Sequence, residues 1–322
     1  MRKLLLPVVL VAAVAVWAAF QGHRQFVSPG PLAEAKTVIV PKGAGLGAVA
    51  RSLTDAGVIG NRWILIVGAR LHALHPKAGE YLFPAAVSPR DALTMMAEGR
   101  TVVHKLTIAE GLTVRRVLDI VRQADYLAGN VTRIPAEGSL LPETWYLSRD
   151  DRRDEVIARM AKSMRQTLDA LWAGRAEGLP LKTEEEALVL ASIVERETGI
   201  ADERPKVAAV FENRLRLGMK LQSDPTVIYG LSGGLGVLDR PLTHEDLVVR
   251  HPWNTYVIDG LPPSPIANPG KASIEAVLHP AASDALYFVA DGTGRHVFAR
   301  TLDEHNANVA KWRRALNGHR EK

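Results

Sequence analysis

Cysteine is absent from the 322 residues. That absence removes disulfide frameworks, thiol nucleophiles, iron–sulfur clusters, cysteine-ligated zinc and a lipid-modified N-terminal cysteine. Other signatures are missing too. His244-Glu245 lacks the second histidine of a zincin. His72 and His75 have i,i+3 spacing but no carboxylate partner in the pattern, so no metal site is expected. No zinc-finger or RNA-recognition motif appears, and the basic residues are spread over several helical patterns. Nucleic acid is therefore not the expected partner. Gly43, Gly45 and Gly47 imitate a dinucleotide-binding turn, but the spacing is G-x-G-x-G and no acidic residue ends a following strand. They predict a tight strand-to-helix turn, and no cofactor is expected.

What is present starts with charge and length. The formal net charge of +5 suits an anionic partner such as membrane lipid or cell-wall polymer. The chain is long enough for two compact units. Arg2-Lys3 precede an uncharged run from Leu4 to Phe20, and Gln21-Gly22-His23-Arg24 follow. As a helix, this run of roughly 17 residues is about 25 Å long, near the short limit for spanning a bilayer. The positive flank predicts a cytoplasmic N-terminus and an exported remainder. A cleaved signal peptide is the alternative, with Ala13-Val14-Ala15 as a small-residue site. The apolar run continues past that site through Trp17 and Phe20, which favours a retained anchor. The expectation is a single-pass protein of the cytoplasmic (inner) membrane with its catalytic part outside.

The expected architecture is α+β, in three parts. Residues 1–25 hold the transmembrane anchor and the start of a linker. In residues 26–105, Thr37–Val40 reads as a strand, and Leu46, Val49, Ala50 and Leu53 as a helix closed near Gly57. A second helix starts near Asn61, a strand near Glu80, and a third helix after Ser88-Pro89. This order resembles a LysM-type βααβ unit, a small fold that often binds N-acetylglucosamine polymers. The layout restarts near Leu106, with Gly111 matching Gly43 and Val117 matching Val49. Residues 106–318 are expected to form a mixed α+β catalytic domain. A long charge-rich helix runs over Asp150–Ala173, and a hairpin turns at Asp291-Gly292-Thr293-Gly294.

The most informative stretch is Thr183–Tyr229. Thr183 and Glu186 fit a capping box, opening a largely apolar helix that ends on Glu195 and Glu197. Acids at the end of a greasy helix suit general-acid chemistry, because an apolar setting keeps the proton on near neutral pH. Glu195 shares a face with Leu188, Ala191 and Ser192, and Glu197 with Leu190, Ile193 and Val194. The two acids point roughly 160° apart and cannot form one dyad. The small side chains beside Glu195 leave room for a ligand and favour it as the catalytic acid. A pair of solvated helix-end glutamates is the alternative. A second helix opens at Pro205 and stops at Gly218. The polar strip Gln222-Ser223-Asp224-Pro225-Thr226 then reads as a ligand-binding turn or a plain Asx-type turn. Trp253-Asn254-Thr255-Tyr256 and the proline-stiffened loop Gly260–Gly270 read as a wall for a sugar chain or as a rigid connector.

LASIVERET, VFENRL, LQSDPTVIYG, NTY, GLPPSPIANPG, LYFVADG and His305-Asn306 occur in the order seen in the YceG-like family of endolytic murein transglycosylases. The chain resembles that family from about Thr37 to Leu316, strongly over 188–306 and loosely over 37–150. Two departures are visible. Trp253 stands where a tyrosine is usual, and Leu141–Tyr146 varies the family's turn. The resemblance implies cleavage of the MurNAc–GlcNAc bond of nascent peptidoglycan, leaving 1,6-anhydro-MurNAc ends. It implies Glu195 as the single acid, and penicillin-binding proteins as neighbours. Gln222, Ser223, Asp224, Thr226, Tyr229, Asn254, Tyr256 and Asn268 are the candidate substrate-binding residues. A hydrolytic muramidase with Asp224 as second carboxylate, or a non-enzymatic wall-binding scaffold, are the alternatives.

Overall fold

Apolar residues at helical spacing, punctuated by caps, account for most of the elements. They are seen in a computed structural model that describes residues 2–320. The chain divides into two units. One comprises the residues up to Lys105 with Tyr146–Asp151, and the other Leu106–Trp145 with the residues from Arg152 onward.

The first unit begins with α1 (Arg2–Val27), the one helix among the described residues long and apolar enough to cross a membrane. Strand β1 (Lys36–Val40) pairs antiparallel with β2 (Gly79–Phe83), Val38 lying opposite Tyr81. Between them come α2 (Leu46–Asp55) and α3 (Arg62–Leu71), and after them α4 (Pro89–Glu98). Gly43 takes φ +80°, the left-handed conformation that the turn from β1 into α2 requires. Asn61 caps α3 by accepting from the Trp63 amide at 2.9 Å, and Ser88 caps α4 by accepting from Asp91 at 3.0 Å. Val40, Val49, Leu53, Leu65, Tyr81, Phe83, Leu93 and Met96 form the core between the strand pair and the helices.

The second unit is mainly helical. Strand β3 (His104–Thr107) pairs with β4 (Thr144–Leu147), the division between the units falling within each strand, and α5 (Val114–Gln123) lies between them in sequence. The helices α6 (Arg153–Ala173), α7 (Glu184–Glu197), α8 (Arg204–Arg216) and α11 (Lys271–Leu278) enclose a core of Met164, Leu168, Leu190, Ile193, Val207, Phe211, Ile274 and Val277. Shorter helices α9 (Asp224–Leu231) and α10 (His244–Val248) lie between α8 and α11 in sequence. The hairpin β5 (Tyr287–Ala290) and β6 (His296–Ala299) leads into α12 (Leu302–Arg320).

Two expectations change. The long helix starts at Arg153, three residues late, because Asp150 adopts φ +65°. The strip at 222–226 is not a free turn. Ser223 stands at the N-cap position of α9, with Pro225 in its first turn.

One buried group sets a testable pH dependence. The Glu212 side chain on α8 is fully buried, its Oε2 accepts from Arg216 at 3.1 Å, and its Oε1 has no partner. Burial pushes this carboxyl up to about 7, with Arg216 opposing. The folded state therefore holds the proton more tightly than the unfolded chain. The associated stability is present below the unfolded value and lost as pH rises through about 7. We expect Glu212→Gln to flatten the decline in unfolding free energy between pH 5 and 8 by on the order of 2 kcal/mol, read by denaturant titration at several pH values.

Candidate active site

The site is built around the last turn of α7. Thr183 fixes the start of this helix by accepting from the Glu186 amide at 3.2 Å. Glu186 reaches back to the Lys182 amide instead of the Thr183 amide, so the expected capping box is only half made. From that start the two acids leave α7 in different directions and do different things.

Glu195 is largely enclosed by protein. Its side chain is 6% exposed, and Oε2 accepts from the Gly270 amide at 3.0 Å and from Ser273 Oγ at 2.7 Å. Helix α11 has no side-chain cap of its own at Gly270, so Glu195 supplies one from across the core. A carboxylate there also meets the positive end of the helix dipole. The small residues beside Glu195 admit the close approach of another segment of the chain. The proline-rich loop packs onto them, with buried Ile266 donating its amide to Ser192 Oγ at 3.0 Å. A Cβ at Gly270 would lie 1.8 Å from Glu110 Oε1, so a larger residue there would displace that side chain. Arg204 Nη2, 3.8 Å from Glu195 and 3.6 Å from Glu110, balances the local negative charge.

Glu197 faces a cleft of about 360 Å³, lined also by Arg214, Gln222, Asp224, Tyr256, Tyr287 and His305. Ser223 Oγ donates to Glu197 Oε1 at 2.5 Å. The hydroxyl is thus spent on the acid and leaves the N-cap of α9 without its side-chain bond. Burial pushes the Glu197 carboxyl up to about 7; the Ser223 hydroxyl opposes this, the charge of Asp224 adds to it, and Arg214 and Arg196 oppose it. Tyr256 donates to Asp224 Oδ1 at 2.6 Å. Burial and this bond to the Asp224 carboxylate hold the Tyr256 phenol well above its ordinary value. Gln222 sits at φ +53°, a left-handed backbone that an ordinary residue adopts only where its surroundings enforce it. Its amide donates to the Thr255 carbonyl at 3.1 Å.

Beneath the cleft, Arg214 on α8 is buried and donates to the carbonyls of Leu286 at 2.7 Å and Leu221 at 2.9 Å. Its guanidinium lies 5.1 Å from the Tyr287 ring, which stacks on His305 at 5.3 Å. Burial and the nearby Arg214 lower the His305 pKa. Arg214, Tyr287 and His305 were not among the expected site residues. They lie in VFENRL, LYFVADG and the His305-Asn306 pair, and only the fold brings those segments to one cleft.

Of the expected binding residues, the structure brings Gln222, Ser223, Asp224 and Tyr256 together at Glu197. The others are structural or lie elsewhere. Thr226 is buried, donating to the Ser223 carbonyl at 2.6 Å and meeting Thr255 Oγ1 at 2.8 Å. Asn254 is buried too, its amide donating to the Leu247 and Val249 carbonyls while its oxygen accepts from Tyr256 N. Asn268 pins loops, accepting from Leu140 N at 2.9 Å and donating to the Leu112 carbonyl at 2.8 Å. At Asn254 and Asn268 the side-chain amide is bonded to backbone. Tyr229 donates to Glu137 Oε2 at 3.3 Å and packs against Trp253, outside the Glu197 cleft.

Among known proteins, the YceG-like family matches residues 38–311. An endolytic murein transglycosylase of Bacillus subtilis is 40% identical over 180 residues, 55% of this chain and 48% of that protein. One of Streptococcus pneumoniae is 28% identical over 323 residues, 85% of this chain and 58% of that protein. The chain thus spans about half the length of these relatives. A crystal structure of a yceG-like protein from Listeria monocytogenes is similar at a TM-score of 0.51 and 31% identity, over 85% of this chain and 99% of that one.

The capping role of Glu195 is testable without any activity assay. Glu195→Ala strands the Gly270 amide and the Ser273 hydroxyl and is expected to cost about 1–3 kcal/mol of unfolding free energy. Combined with Ser273→Ala the loss should be less than additive, since one contact is removed twice. Full additivity in chemical denaturation would contradict the role.

Proposed function

The chain belongs to the YceG-like family, and from that premise we propose that it is a lytic transglycosylase of peptidoglycan glycan strands whose acid is Glu197. One observation carries the choice of acid. Glu197 is the carboxyl held up to about 7 at the head of the cleft, with Ser223, Asp224 and Tyr256 around it, whereas Glu195 is committed to α11.

Ordinary glycosidases use two carboxylates, one as acid and one as nucleophile or base. A single acid suffices when the substrate supplies its own nucleophile. Protonated Glu197 donates to the leaving glycosidic oxygen as the bond to the MurNAc anomeric carbon breaks. The resulting carboxylate accepts the proton of the MurNAc 6-hydroxyl, whose oxygen bonds to that same carbon. No water is consumed, and the new end is a 1,6-anhydro ring. Ser223 steadies the carboxylate form between the two transfers. Asp224, braced by Tyr256, presents negative charge towards the oxocarbenium-like carbon.

In this reading residues 106–318 are the catalytic domain and residues 26–105 a LysM-like unit that holds glycan. Helix α1 is a membrane anchor with its N-terminus cytoplasmic, which keeps the enzyme beside newly made strands. Penicillin-binding proteins are the synthetic partners it implies.

Uncrosslinked glycan strands incubated with the protein should yield ends lighter by one water than hydrolysis would give, read by mass spectrometry. Glu197→Gln should lower turnover by about 10³-fold or more, while Glu195→Gln retains it. Loss with Glu195→Gln alone, at unchanged stability, would move the acid back to Glu195. Hydrated reducing ends would indicate a muramidase using Asp224, and binding without cleavage would indicate a scaffold. Because the acid must start protonated, kcat/KM should fall as pH rises through about 7. Ser223→Ala removes a bond that favours the charged form and should move this fall to higher pH.

A further inference from the structure

Helix α3 presents three large apolar side chains to the outside. Trp63 is 59% exposed, Val67 52% and Leu71 77%. Spaced i, i+4 and i+8, they form one stripe along the helix. Single exposed apolar residues are ordinary, but a contiguous stripe marks a surface that something covers.

The stripe is continuous with the apolar surface of α1. A groove of about 360 Å³ is lined by Ala18, Ala19 and Gly22 of α1 and by Trp63, Val67 and Leu71 of α3. The two helices are locked together next to it. Phe26, at the end of α1, is buried against Gly68, where a Cβ would lie 2.3 Å from its ring, and it stacks on His72 at 5.4 Å. The anchor therefore does not end in a loose tether, and wherever α1 leaves the bilayer, α3 is fixed beside it.

The depth follows from length. Pro7–Val27, 21 residues, is about 31 Å of helix, close to the hydrocarbon thickness of a bilayer. The groove adjoins the last three turns of this span, running from the acyl region to the outer end where amphipathic rings meet the headgroups. The polar surroundings suit an anionic lipid surface. Arg62 stacks over Trp63 at 5.1 Å, and Arg24, Arg62 and Arg70 are exposed with no ion pair among the described residues.

We propose that α3 is a second membrane contact, lying in the outer interface of the bilayer that α1 spans. Trp63, Val67 and Leu71 enter the acyl boundary, and Arg24, Arg62 and Arg70 meet lipid phosphates. An acyl chain occupies the groove between the helices. The first unit is thereby held flat on the membrane instead of swinging on its anchor. This rests on the reading of α1 as a membrane span.

The absence of cysteine makes the test direct. The full chain carrying Val14→Cys, Val67→Cys, Leu71→Cys or Asp55→Cys is spin-labelled and reconstituted into phosphatidylcholine–phosphatidylglycerol vesicles. Collision with oxygen is then compared with collision with a water-soluble nickel chelate. Labels at 67 and 71 should favour oxygen several-fold over the label at 55, on exposed α2, as the label at 14 does. Charge at the stripe, as Val67→Glu with Leu71→Glu, should return a label at 63, introduced as Trp63→Cys, to the aqueous pattern. If 14 is in lipid while 67 and 71 match 55, the contact is refuted and the anchor stands. If 14 is aqueous too, the anchor reading itself has failed. Labels at 67 and 71 shielded from both reagents would overturn the proposal in favour of a protein partner, or of a second copy if they also show dipolar broadening.

Discussion

The packing of the proline-rich loop onto α7 is the constraint on which the site depends. Ala191 and Ser192 are small enough for Ile266 to approach and bond to the Ser192 hydroxyl. That contact brings the Gly270 end of α11 to Glu195, which becomes a cap. Once Glu195 is committed, helical geometry turns Glu197 the other way, to Ser223 and the cleft. In the proposed reading one face of α7 is structural and the other chemical, and the loop decides which is which.

The chemistry follows from where Glu197 sits. It is the last residue of a 14-residue helix, at the end where the backbone dipole disfavours negative charge. Burial and the charge of Asp224 act in the same direction, against Ser223 and Arg214. The balance leaves a carboxyl near neutrality, as the proposed acid and, once spent, base requires. Buried groups hold the surroundings still. Arg214 ties α8 to Leu286, just before β5, and Asn254 and Thr226 fix the segments that carry Tyr256 and Ser223.

Much of this was legible in the chain. Asn61, Ser88 and Thr183 announced helix starts that the structure uses, and the hairpin at 291–294 followed from its turn residues. The divergence of Glu195 and Glu197 followed from helical spacing alone. What spacing could not give was the neighbour on each face. Small residues beside Glu195 read as space for a ligand, and a loop 74 residues beyond Ser192 packs against them. Asn254 and Asn268 read as ligand amides, yet buried loops need their own backbone groups satisfied first. Arg214, Tyr287 and His305 could be placed at the site only by the fold, since none is near Glu197 in sequence.

The measurement that bears most directly on the account is the titration of one carboxyl. With ¹³C-labelled glutamate in the chain, the carboxyl signal missing from Glu197→Gln identifies Glu197. The account predicts that this signal titrates near 7, well above an ordinary glutamate. A midpoint at the ordinary value would mean that Glu197 is ionised at neutral pH and cannot be the acid.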